Sequence, residues 1–473
     1  LSYATPILSF GRSKRGLPVS CYLNYIDDSA EGLVDNLSET NWLSMLGGGV
    51  GVHMGIRSSD DKSAGIMPHL KIYDASSLAY KQGSTRRGSY AAYLSIDHPD
   101  IIAFLEMRKP TGDQNLRGLN MHHGVNLSDK FMELIDACMK DPEADDSFNL
   151  VNPSNDKIVE TVSAKYLWQK ILDLRMQTGE PYLVFIDTAK RAVPQWLKDK
   201  GLTINGSNLC TEIFLPTNEE RTAVCCLSSL NLEHYDEWKN QPLFISDTME
   251  MLDNVLEYFI DNAPDAISRA RFSAQRERSI GIGALGVHAY LQKKRISFEG
   301  VLAKSINNEI FKHIEKKCLE ADAMLVVLRG PCPDSAWSST PRRFSHHMAI
   351  APNASSSLIM RNTSPSIEPY RANVYRQDTL SGAHVHKNRF LMAELEELGM
   401  NDDDVWASII ANDGSVQHLD IPEILKDVFK TAMEIDQRWI IEHAADRQRY
   451  IDQGQSVNLF FPATVSIKYL HSV

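Results

Sequence analysis

The sequence predicts an α/β protein in which helices pack outside a mostly parallel sheet. From residue 90 onward, β-prone stretches at 90–96 and 119–127 alternate with helical stretches at 99–107 and 128–140, and another short strand is predicted at 182–186. Such alternation requires crossover connections, which favour parallel pairing of the strands. Apolar helices predicted at 249–260, 306–327 and 422–441 would form the outer layer, with Pro422 in the first turn of the last helix.

Composition restricts the class of protein. The chain has 473 residues, 43% hydrophobic and 23% charged, as is ordinary for globular proteins. Its net charge of −12 gives no sign of a nucleic-acid surface. We see no signal peptide and no apolar run of about 20 residues, so no membrane span is predicted. Seven scattered cysteines without a CxxC pair indicate a reducing cytoplasm rather than a disulfide framework or a zinc site.

The first hundred residues contain a helix followed by two loops. Leucines at helical spacing predict a helix over residues 30–46, with Asp28 and Glu31 as its capping box and three glycines at 47–49 ending it. These glycines allow another segment to pass close to the backbone, and residues 51–57 follow as a strand. Residues 57–66 form a polar loop. Residues 81–88 form a glycine-bounded loop in which Arg86 and Arg87 supply local positive charge.

A second candidate site lies at residues 351–357, just before a helix predicted to start near Leu358. Serine hydroxyls and free backbone N–H groups at a helix start can bind an anion, although ordinary serine capping is the alternative. Asn353, Ala354, Ser355 and Ser356 belong to this segment.

The central stretch of the chain is Asn208-Leu209-Cys210-Thr211-Glu212. In an extended strand alternate residues share a face, so Asn208, Cys210 and Glu212 would lie together. A buried structural cysteine is the alternative. Cys225 and Cys226 would point to opposite faces if they also lie in a strand, and Cys138, Cys318 and Cys332 are expected to be packing residues.

The cysteine segments resemble the large catalytic subunit of class I ribonucleotide reductases, particularly the homologues of tailed bacteriophages. The motifs are Asn-Leu-Cys-Thr-Glu at 208–212, Cys-x-Leu-Ser at 225–228 and Pro-x-Ser-Cys at 18–21. Ser366-Ile367-Glu368-Pro369-Tyr370 strengthens the resemblance. Two segments depart from the family pattern, because Asn353 replaces a common Ser or Thr and residues 343–346 replace Gly-Leu-Arg-Asn. The resemblance implies a ten-stranded α/β barrel, incomplete here, with helices packed outside.

The resemblance also implies roles for individual residues. Cys210 would form a thiyl radical, Glu212 would act as general base, Asn208 would hydrogen-bond the substrate, and Cys21 with Cys225 would be the reducing dithiol. Substrate contacts would come from Thr5, Ser20, Asn353, Ala354, Ser355 and Ser356. The allosteric nucleotide site would involve Asp28, Arg57, Gln82, Arg86 and Arg87.

The partners are implied in the same way. Ribonucleoside diphosphates are the expected substrates, and ATP, dATP, dGTP and dTTP are the expected effectors. The radical would come from a metal-containing small subunit, with no metal bound by this chain. Thioredoxin or glutaredoxin would be the reductant, and the chain would form a homodimer.

Residues 1–473 are expected to be one catalytic barrel domain. Neither an N-terminal ATP-cone nor a C-terminal Tyr-Tyr pair with a cysteine-rich tail is recognised, so the isolated chain is expected to bind nucleotides without turnover. One alternative is a cobalamin-dependent ribonucleotide reductase, which cobalt-dependent activity would reveal. The other is a catalytically inactive nucleotide-binding protein, which would bind effector without oxidising its thiols.

Overall fold

The structure is a computed structural model that describes residues 1–11, 16–80, 87–379 and 382–473. The strands are β1 (Ser2–Tyr3), β2 (Cys21–Tyr25), β3 (Gly49–His53), β4 (Tyr90–Ser95), β5 (His122–Leu127), β6 (Ser147–Val151), β7 (Ile158–Ser163), β8 (Tyr182–Phe185), β9 (Ala223–Asn231), β10 (Ile280–Leu285), β11 (Val374–Thr379) and β12 (Gly382–Lys387). The helices are α1 (Thr5–Ser9), α2 (Ala30–Met45), α3 (Ile66–Ala79), α4 (Ile101–Leu105), α5 (Asp129–Lys140), α6 (Ala164–Thr178), α7 (Ile186–Ala192), α8 (Gln195–Lys198), α9 (Tyr235–Trp238), α10 (Phe244–Asn262), α11 (Ser268–Glu277), α12 (Val287–Lys293), α13 (Val301–Arg329), α14 (Ala354–Ile359), α15 (Arg389–Glu397), α16 (Asp403–Ala411), α17 (Glu423–Val428), α18 (Gln437–Gln448) and α19 (Ile467–Ser472).

The central sheet consists of two parallel halves that meet in antiparallel fashion. Its eight strands run in the order β1-β9-β2-β3-β4-β5-β8, and β10 also pairs with β9. Strands β2, β3, β4, β5 and β8 are parallel, as are β9 and β10, whereas β2 and β9 are antiparallel. Beyond β10, extended segments at 346–350 and 453–456 continue the hydrogen bonding, with Ile282 N–H donating to the His347 carbonyl (2.7 Å) and Ile350 N–H to the Gly454 carbonyl (3.0 Å).

Helices cover the outer face of this sheet, as the sequence predicts. On α10, Ile245, Met249, Leu252 and Phe259 are buried at helical spacing and belong to the main hydrophobic core. Strands β4 and β9 are buried almost throughout, as is usual for a sheet covered on both faces. A smaller core under α15, α16 and α17 lies apart from the barrel. Within the described ranges, no helix is long and apolar enough to cross a membrane.

The strands predicted at 90–96, 119–127 and 182–186 are confirmed as β4, β5 and β8, each somewhat shorter than predicted. The helices predicted at 99–107, 128–140, 249–260 and 306–327 correspond to α4, α5, α10 and α13. The strand predicted at 51–57 begins earlier and ends earlier, as β3. The helix predicted at 422–441 is wrong as one element, because it is divided into α17 and α18. Buried Phe429, Ala432 and Ile435 occupy the break, and Asp436 caps the start of α18.

The predicted helix over 30–46 is confirmed as α2, but its cap is not the predicted one. The Ser29 side chain, rather than Asp28, accepts the N–H of Gly32 (3.0 Å). Asp28 is therefore available for another partner, which is Arg57.

Candidate active site

A cavity of about 630 Å³ opens at the N-terminal ends of β2, β3 and β4. Residues from distant parts of the sequence line it, including most of those singled out above. These are Thr5, Ser20, Cys21, Arg87, Asn208, Cys210, Glu212, Asn353, Ala354, Ser355 and Ser356. The cavity is large enough for a small polar ligand such as a nucleotide.

The segment 208–212 is a turn, so the predicted strand is wrong. The Asn208 side-chain oxygen accepts the backbone N–H groups of Glu212 and Ile213, each at 3.1 Å, and this local bonding replaces a strand ladder. Thr211 has a left-handed backbone with φ of 65°. A left-handed residue interrupts the alternation of an extended chain. Asn208, Cys210 and Glu212 nevertheless all line the cavity, because the turn rather than a pleat directs them there.

Close packing against β3 fixes the position of this turn. A Cβ on Gly51 would lie 1.8 Å from the Ser207 carbonyl oxygen, and one on Gly49 would lie 2.6 Å from a methyl carbon of Leu209. The glycines after α2 therefore let the turn-bearing segment pass directly over the sheet, as their sequence suggested. The buried Tyr93 hydroxyl contacts both the Asn208 carbonyl and the Thr211 hydroxyl, the latter at 2.9 Å.

Two buried polar atoms at the cavity wall have no hydrogen-bond partner among the described residues. They are Asn208 Nδ2 and Glu212 Oε2, on side chains that are 0% and 1% exposed. Burial, partly offset by hydrogen bonding, raises the pKa of Glu212 to about 7. A carboxyl group with a pKa near neutrality is suited to act as a general base. The wall thus offers a ligand one amide donor and one proton acceptor.

Cys21 and Cys225 face each other across the antiparallel junction of β2 and β9. Direct partners in such a pair have Cα atoms about 4.5 to 5.5 Å apart, within the range that a disulfide requires. Cys21 Sγ donates to Glu212 Oε1 at 3.8 Å and lies 3.2 Å from Ser20 Oγ. Burial raises the pKa of Cys21 and Cys210, and it raises the pKa of Cys225 to about 12. These thiols are therefore protonated at neutral pH.

Of the seven cysteines, only Cys21 and Cys210 line the cavity. Cys226 belongs to the main core between the sheet and its helices, whereas Cys225 belongs to an inner cluster with Cys21 and Ile213. Adjacent strand residues therefore point to opposite faces, and only Cys225 faces Cys21. Cys138, Cys318 and Cys332 are buried elsewhere, and all seven cysteines are free thiols in the structure.

The segment 351–357 starts its helix earlier than expected, because α14 begins at Ala354 rather than near Leu358. The N–H groups of Ala354, Ser355 and Ser356 are therefore those of a first helical turn, which lack intrahelical partners. The Asn353 amide nitrogen is held in place, since it donates to Ser229 Oγ (3.0 Å), the Ala351 carbonyl (3.1 Å) and the Ala284 carbonyl (3.2 Å). Asn353 thus fixes the segment to β9 and β10.

The candidate effector residues do not form one cluster. Asp28 and Arg57 pair at 3.1 Å (Arg57 Nε to Asp28 Oδ2), beyond the C-terminal ends of β2 and β3 and thus at the opposite end of these strands from the cavity. Arg87 lines the cavity itself. Gln82 and Arg86 lie outside the described residues.

Sequence reasoning missed the residues that connect the turn to Cys225. Gly454 N–H donates to the Glu212 carbonyl (2.8 Å), and a Cβ on Gly454 would lie 2.2 Å from the Phe214 ring. The neighbouring Gln453 contacts both Cys225 and Phe214. The only signal in the sequence was the polar run Asp452-Gln453-Gly454-Gln455 after an apolar helix, which by itself indicates a loop.

Comparisons with known proteins place the chain among ribonucleotide reductases. The family model described as "Ribonucleotide reductase, barrel domain" matches residues 19–340 and 334–473. The ribonucleoside-diphosphate reductase large subunit of Invertebrate iridescent virus 3 is 48% identical, over 100% of this chain and 83% of the relative. A putative large subunit from Frog virus 3 is 49% identical, over 97% of this chain and 80% of the relative.

A solved structure gives the same result. The class Id ribonucleotide reductase alpha subunit of Actinobacillus ureae superposes with a TM-score of 0.87 at 36% identity. The match covers 100% of this chain and 83% of that subunit.

Proposed function

Because the chain belongs to the ribonucleotide reductase large-subunit family, we propose that its cavity of about 630 Å³ binds a ribonucleoside diphosphate for reduction. The family activity is an oxidoreductase reaction that converts ribonucleotides to 2′-deoxyribonucleotides for DNA synthesis. The assignment of individual residues to this reaction rests mainly on one observation. Among the residues that the structure describes, Glu212 Oε2 and Asn208 Nδ2 have no close hydrogen-bond partner, and both lie in the cavity wall with Cys210, as a site for substrate hydroxyls requires.

The reaction begins at Cys210. With a radical supplied by a separate small subunit, the Cys210 sulfur abstracts the 3′-hydrogen of the ribose. Glu212 takes the proton of the 3′-hydroxyl, and the Asn208 amide donates a hydrogen bond to the same region of the sugar. The pKa of Glu212 of about 7 leaves a substantial fraction of this carboxyl ionised at neutral pH, so it can accept the proton.

Cys21 and Cys225 then act as the reductant. A thiol proton goes to the departing 2′-hydroxyl, which leaves as water, and two electrons from the sulfurs reduce the sugar. The second thiol proton goes to the 2′-carbon, and the two sulfurs end as a disulfide. The Cys210 thiol then returns its hydrogen atom to the 3′-carbon, which leaves the radical on Cys210, and from there it passes back to the small subunit. The direct pairing of Cys21 with Cys225 supports this role, and their raised pKa values keep the thiol hydrogens available.

The diphosphate binds at the first turn of α14. Backbone N–H groups of Ala354, Ser355 and Ser356 donate to phosphate oxygens, and Asn353 holds the segment in place. Thr5 and Ser20 also line the cavity and contribute hydroxyls to the same ligand. Arg87 supplies positive charge within this cavity of an otherwise acidic chain.

The effector site is proposed to lie at the Asp28–Arg57 pair, with ATP, dATP, dGTP or dTTP as its ligands. The half-buried pair could hold a ribose hydroxyl through the carboxylate and a phosphate through the guanidinium. Gln82 and Arg86, which precede Arg87 in the sequence, belong to the same proposal because the resemblance implies it. Residues 1–473 act as one catalytic barrel that forms a homodimer. Thioredoxin or glutaredoxin in the cytoplasm reduces the Cys21–Cys225 disulfide back to the free thiols seen in the structure.

Turnover of CDP to dCDP tests the proposal, with dithiothreitol, ATP and the small subunit that partners this chain. The assay is run with and without a downstream C-terminal segment that carries the Tyr-Tyr pair, and turnover in all variants is compared with that segment present. We expect Cys210→Ser to abolish dCDP formation while CDP still binds, as measured by calorimetry. Cys138→Ser is the matched control, since this buried thiol lies on α5, outside the cavity. Retained turnover in Cys210→Ser would show that another residue carries the radical.

A further inference from the structure

We propose that Gln453 and Ser279 are positioning residues that make Cys225 the leaving sulfur when the Cys21–Cys225 disulfide is reduced. Both direct hydrogen-bond donors at Cys225 Sγ, so the negative charge that develops during S–S cleavage falls on this sulfur. The inference rests on the proposed dithiol function and assigns different tasks to its two cysteines.

Gln453 lies at the centre of the contact between Cys225 and the turn. Its amide Nε2 is 3.6 Å from Cys225 Sγ, 3.4 Å from Ser279 Oγ and 3.2 Å from the Ile280 carbonyl oxygen. Its side-chain oxygen accepts the N–H of Phe214 at 3.3 Å. The side chain is 5% exposed, so water does not compete for these bonds.

The surroundings fix which end of the Gln453 amide faces the sulfur. One end meets the Ile280 carbonyl, which only accepts, and the other meets the Phe214 N–H, which only donates. A flipped amide would place two acceptors together at one end and two donors at the other. One N–H therefore points towards the Ile280 carbonyl, and the other is shared between Cys225 Sγ and Ser279 Oγ.

Ser279 adds a second donor. Its hydroxyl lies 3.7 Å from Cys225 Sγ, and it can accept from Gln453 while donating to the sulfur. A hydroxyl that accepts one hydrogen bond becomes a stronger donor of another. The Cys225 sulfur thus accepts hydrogen bonds in an environment that excludes water, because 0% of the residue's surface is exposed.

Cys21 has different surroundings. It lines the cavity, donates its S–H to Glu212 Oε1 at 3.8 Å, and lies beside Ser20 Oγ at 3.2 Å. A reductant entering the cavity therefore reaches Cys21 first. Glu212 opposes negative charge on both sulfurs, but it contacts only Cys21, whose one hydroxyl neighbour is Ser20. Cys225 has two donors, Gln453 and Ser279, that favour negative charge on its sulfur.

These differences set the direction of disulfide reduction. A thiolate of the reductant attacks Cys21 Sγ and forms a mixed disulfide with it. The bond between Cys21 and Cys225 breaks, and its electron pair leaves on Cys225 Sγ, which then takes up a proton. A second thiol of the reductant attacks the mixed disulfide, releases Cys21 as a thiol and carries away the reductant as its own disulfide. Leaving sulfurs with a lower pKa depart faster, so donors to Cys225 accelerate the first step.

The test uses the whole chain alone, without the small subunit. The chain is oxidised with diamide, and peptide mapping shows whether the Cys21–Cys225 disulfide has formed. Dithiothreitol then reduces it under pseudo-first-order conditions. We expect Gln453→Met to slow reduction by about fivefold and Ser279→Ala by about twofold, because each loses a donor to the leaving sulfur. Gln455→Met is the matched control. This side chain lies two residues away and bonds Ala444 and Gln448 instead, so its rate should stay within about twofold of the parent.

A second measurement distinguishes a direct effect of Gln453 and Ser279 on the Cys225 sulfur from structural support of the turn that carries Cys210. Reduction with glutathione, stopped by acid, traps the mixed disulfide, and mapping shows which cysteine it carries. We expect it on Cys21 in the parent chain, with a larger share on Cys225 in Gln453→Met. Ser279→Ala keeps the bond between Gln453 and Phe214, so slower reduction there cannot come from a displaced turn.

Three outcomes are decisive against the inference. Failure of the parent chain to form the disulfide would overturn the proposed dithiol and this inference with it. A disulfide that forms but is reduced equally fast in all variants would overturn the inference alone. So would a mixed disulfide found mainly on Cys225 in the parent chain.

Discussion

Cys21 and Cys225 are direct partners at the antiparallel junction of β2 and β9, where the two parallel halves of the sheet meet. Neither thiol needs to move along its strand to reach the other, because register alone makes them neighbours. We therefore predict that mild oxidation forms one disulfide, between these two residues. Peptide mapping by mass spectrometry should identify it. Cys226→Ala should leave it intact, since Cys226 lies on the outer face, and a Cys210–Cys225 bond would contradict the assignment.

The pH dependence of turnover should follow Glu212. Burial raises its pKa to about 7, and only the ionised carboxylate accepts a proton, so dCDP formation should rise between pH 6 and pH 8. Glu212→Gln keeps the shape but cannot accept the proton, and we expect turnover to fall by roughly 10²-fold or more. The initial rate of dCDP formation, measured against pH for both proteins, checks this. A parent profile that is flat over this range would exclude Glu212 as the base.

The same substitution should change stability in a pH-dependent way. The raised pKa means that the folded state holds the Glu212 proton more tightly than the unfolded state, whose pKa is near 4.5. Its contribution to stability is therefore fully present below about pH 4.5 and is lost as pH rises through about 7. Since glutamine does not titrate, Glu212→Gln should gain about 2 to 3 kcal/mol in free energy of unfolding, relative to the parent, between pH 5 and pH 8. Urea denaturation at both pH values measures this, and an unchanged difference would contradict it.

Gly51 should tolerate no side chain. A Cβ there would lie 1.8 Å from the Ser207 carbonyl oxygen, so the turn that carries Cys210 must move away from β3. We expect Gly51→Ala to lower turnover by more than tenfold and the free energy of unfolding by about 1 to 3 kcal/mol. Gly300→Ala is the matched control, because nothing lies within 4 Å of a Cβ built there. Parental turnover in Gly51→Ala would show that the position of the turn is not critical.

Arg57 should matter for effector binding more than for substrate binding. Its guanidinium pairs with Asp28 at the opposite end of the strands from the cavity. We expect Arg57→Ala to weaken dTTP binding by about tenfold or more, through loss of a charged partner for phosphate, and to change CDP affinity by less than about twofold. Calorimetric titration with each nucleotide makes the comparison. Arg376→Ala, on an exposed hairpin, is the control, and equal losses for both ligands would relocate the effector site.

Element types were predictable because they depend on local patterns. The alternation in residues 90–140 corresponds to β4, α4, β5 and α5, since apolar periodicity reports which face of an element is buried. The helix predicted over 422–441 failed because buried Phe429, Ala432 and Ile435 maintain a helix-like spacing through a non-helical segment. The spacing of apolar residues indicates which side chains are buried there. The backbone conformation depends on how they pack in the tertiary core.

The candidate site was predictable in its residues but not in its geometry. The motifs around Cys21 and Cys210, together with the segment 351–357, named many of the residues that line the cavity. The turn at 208–212 was missed because the Asn208 side chain forms hydrogen bonds that a strand ladder would otherwise make. Gln453 and Gly454 were missed because their partners, Phe214 and Glu212, lie more than 200 residues away in sequence, and no local pattern reports such contacts.

The hydrogen bond from the Gly454 N–H to the Glu212 carbonyl can form only after residue 454 has been translated, which orders the assembly of the site during synthesis. Domains generally fold as units during synthesis, starting from the N-terminal end. Cys21, Cys210 and Cys225 are all translated well before residues 453 and 454, which supply the last supports of the turn. A nascent chain therefore carries all three thiols before the contacts of residues 453 and 454 with the turn can form.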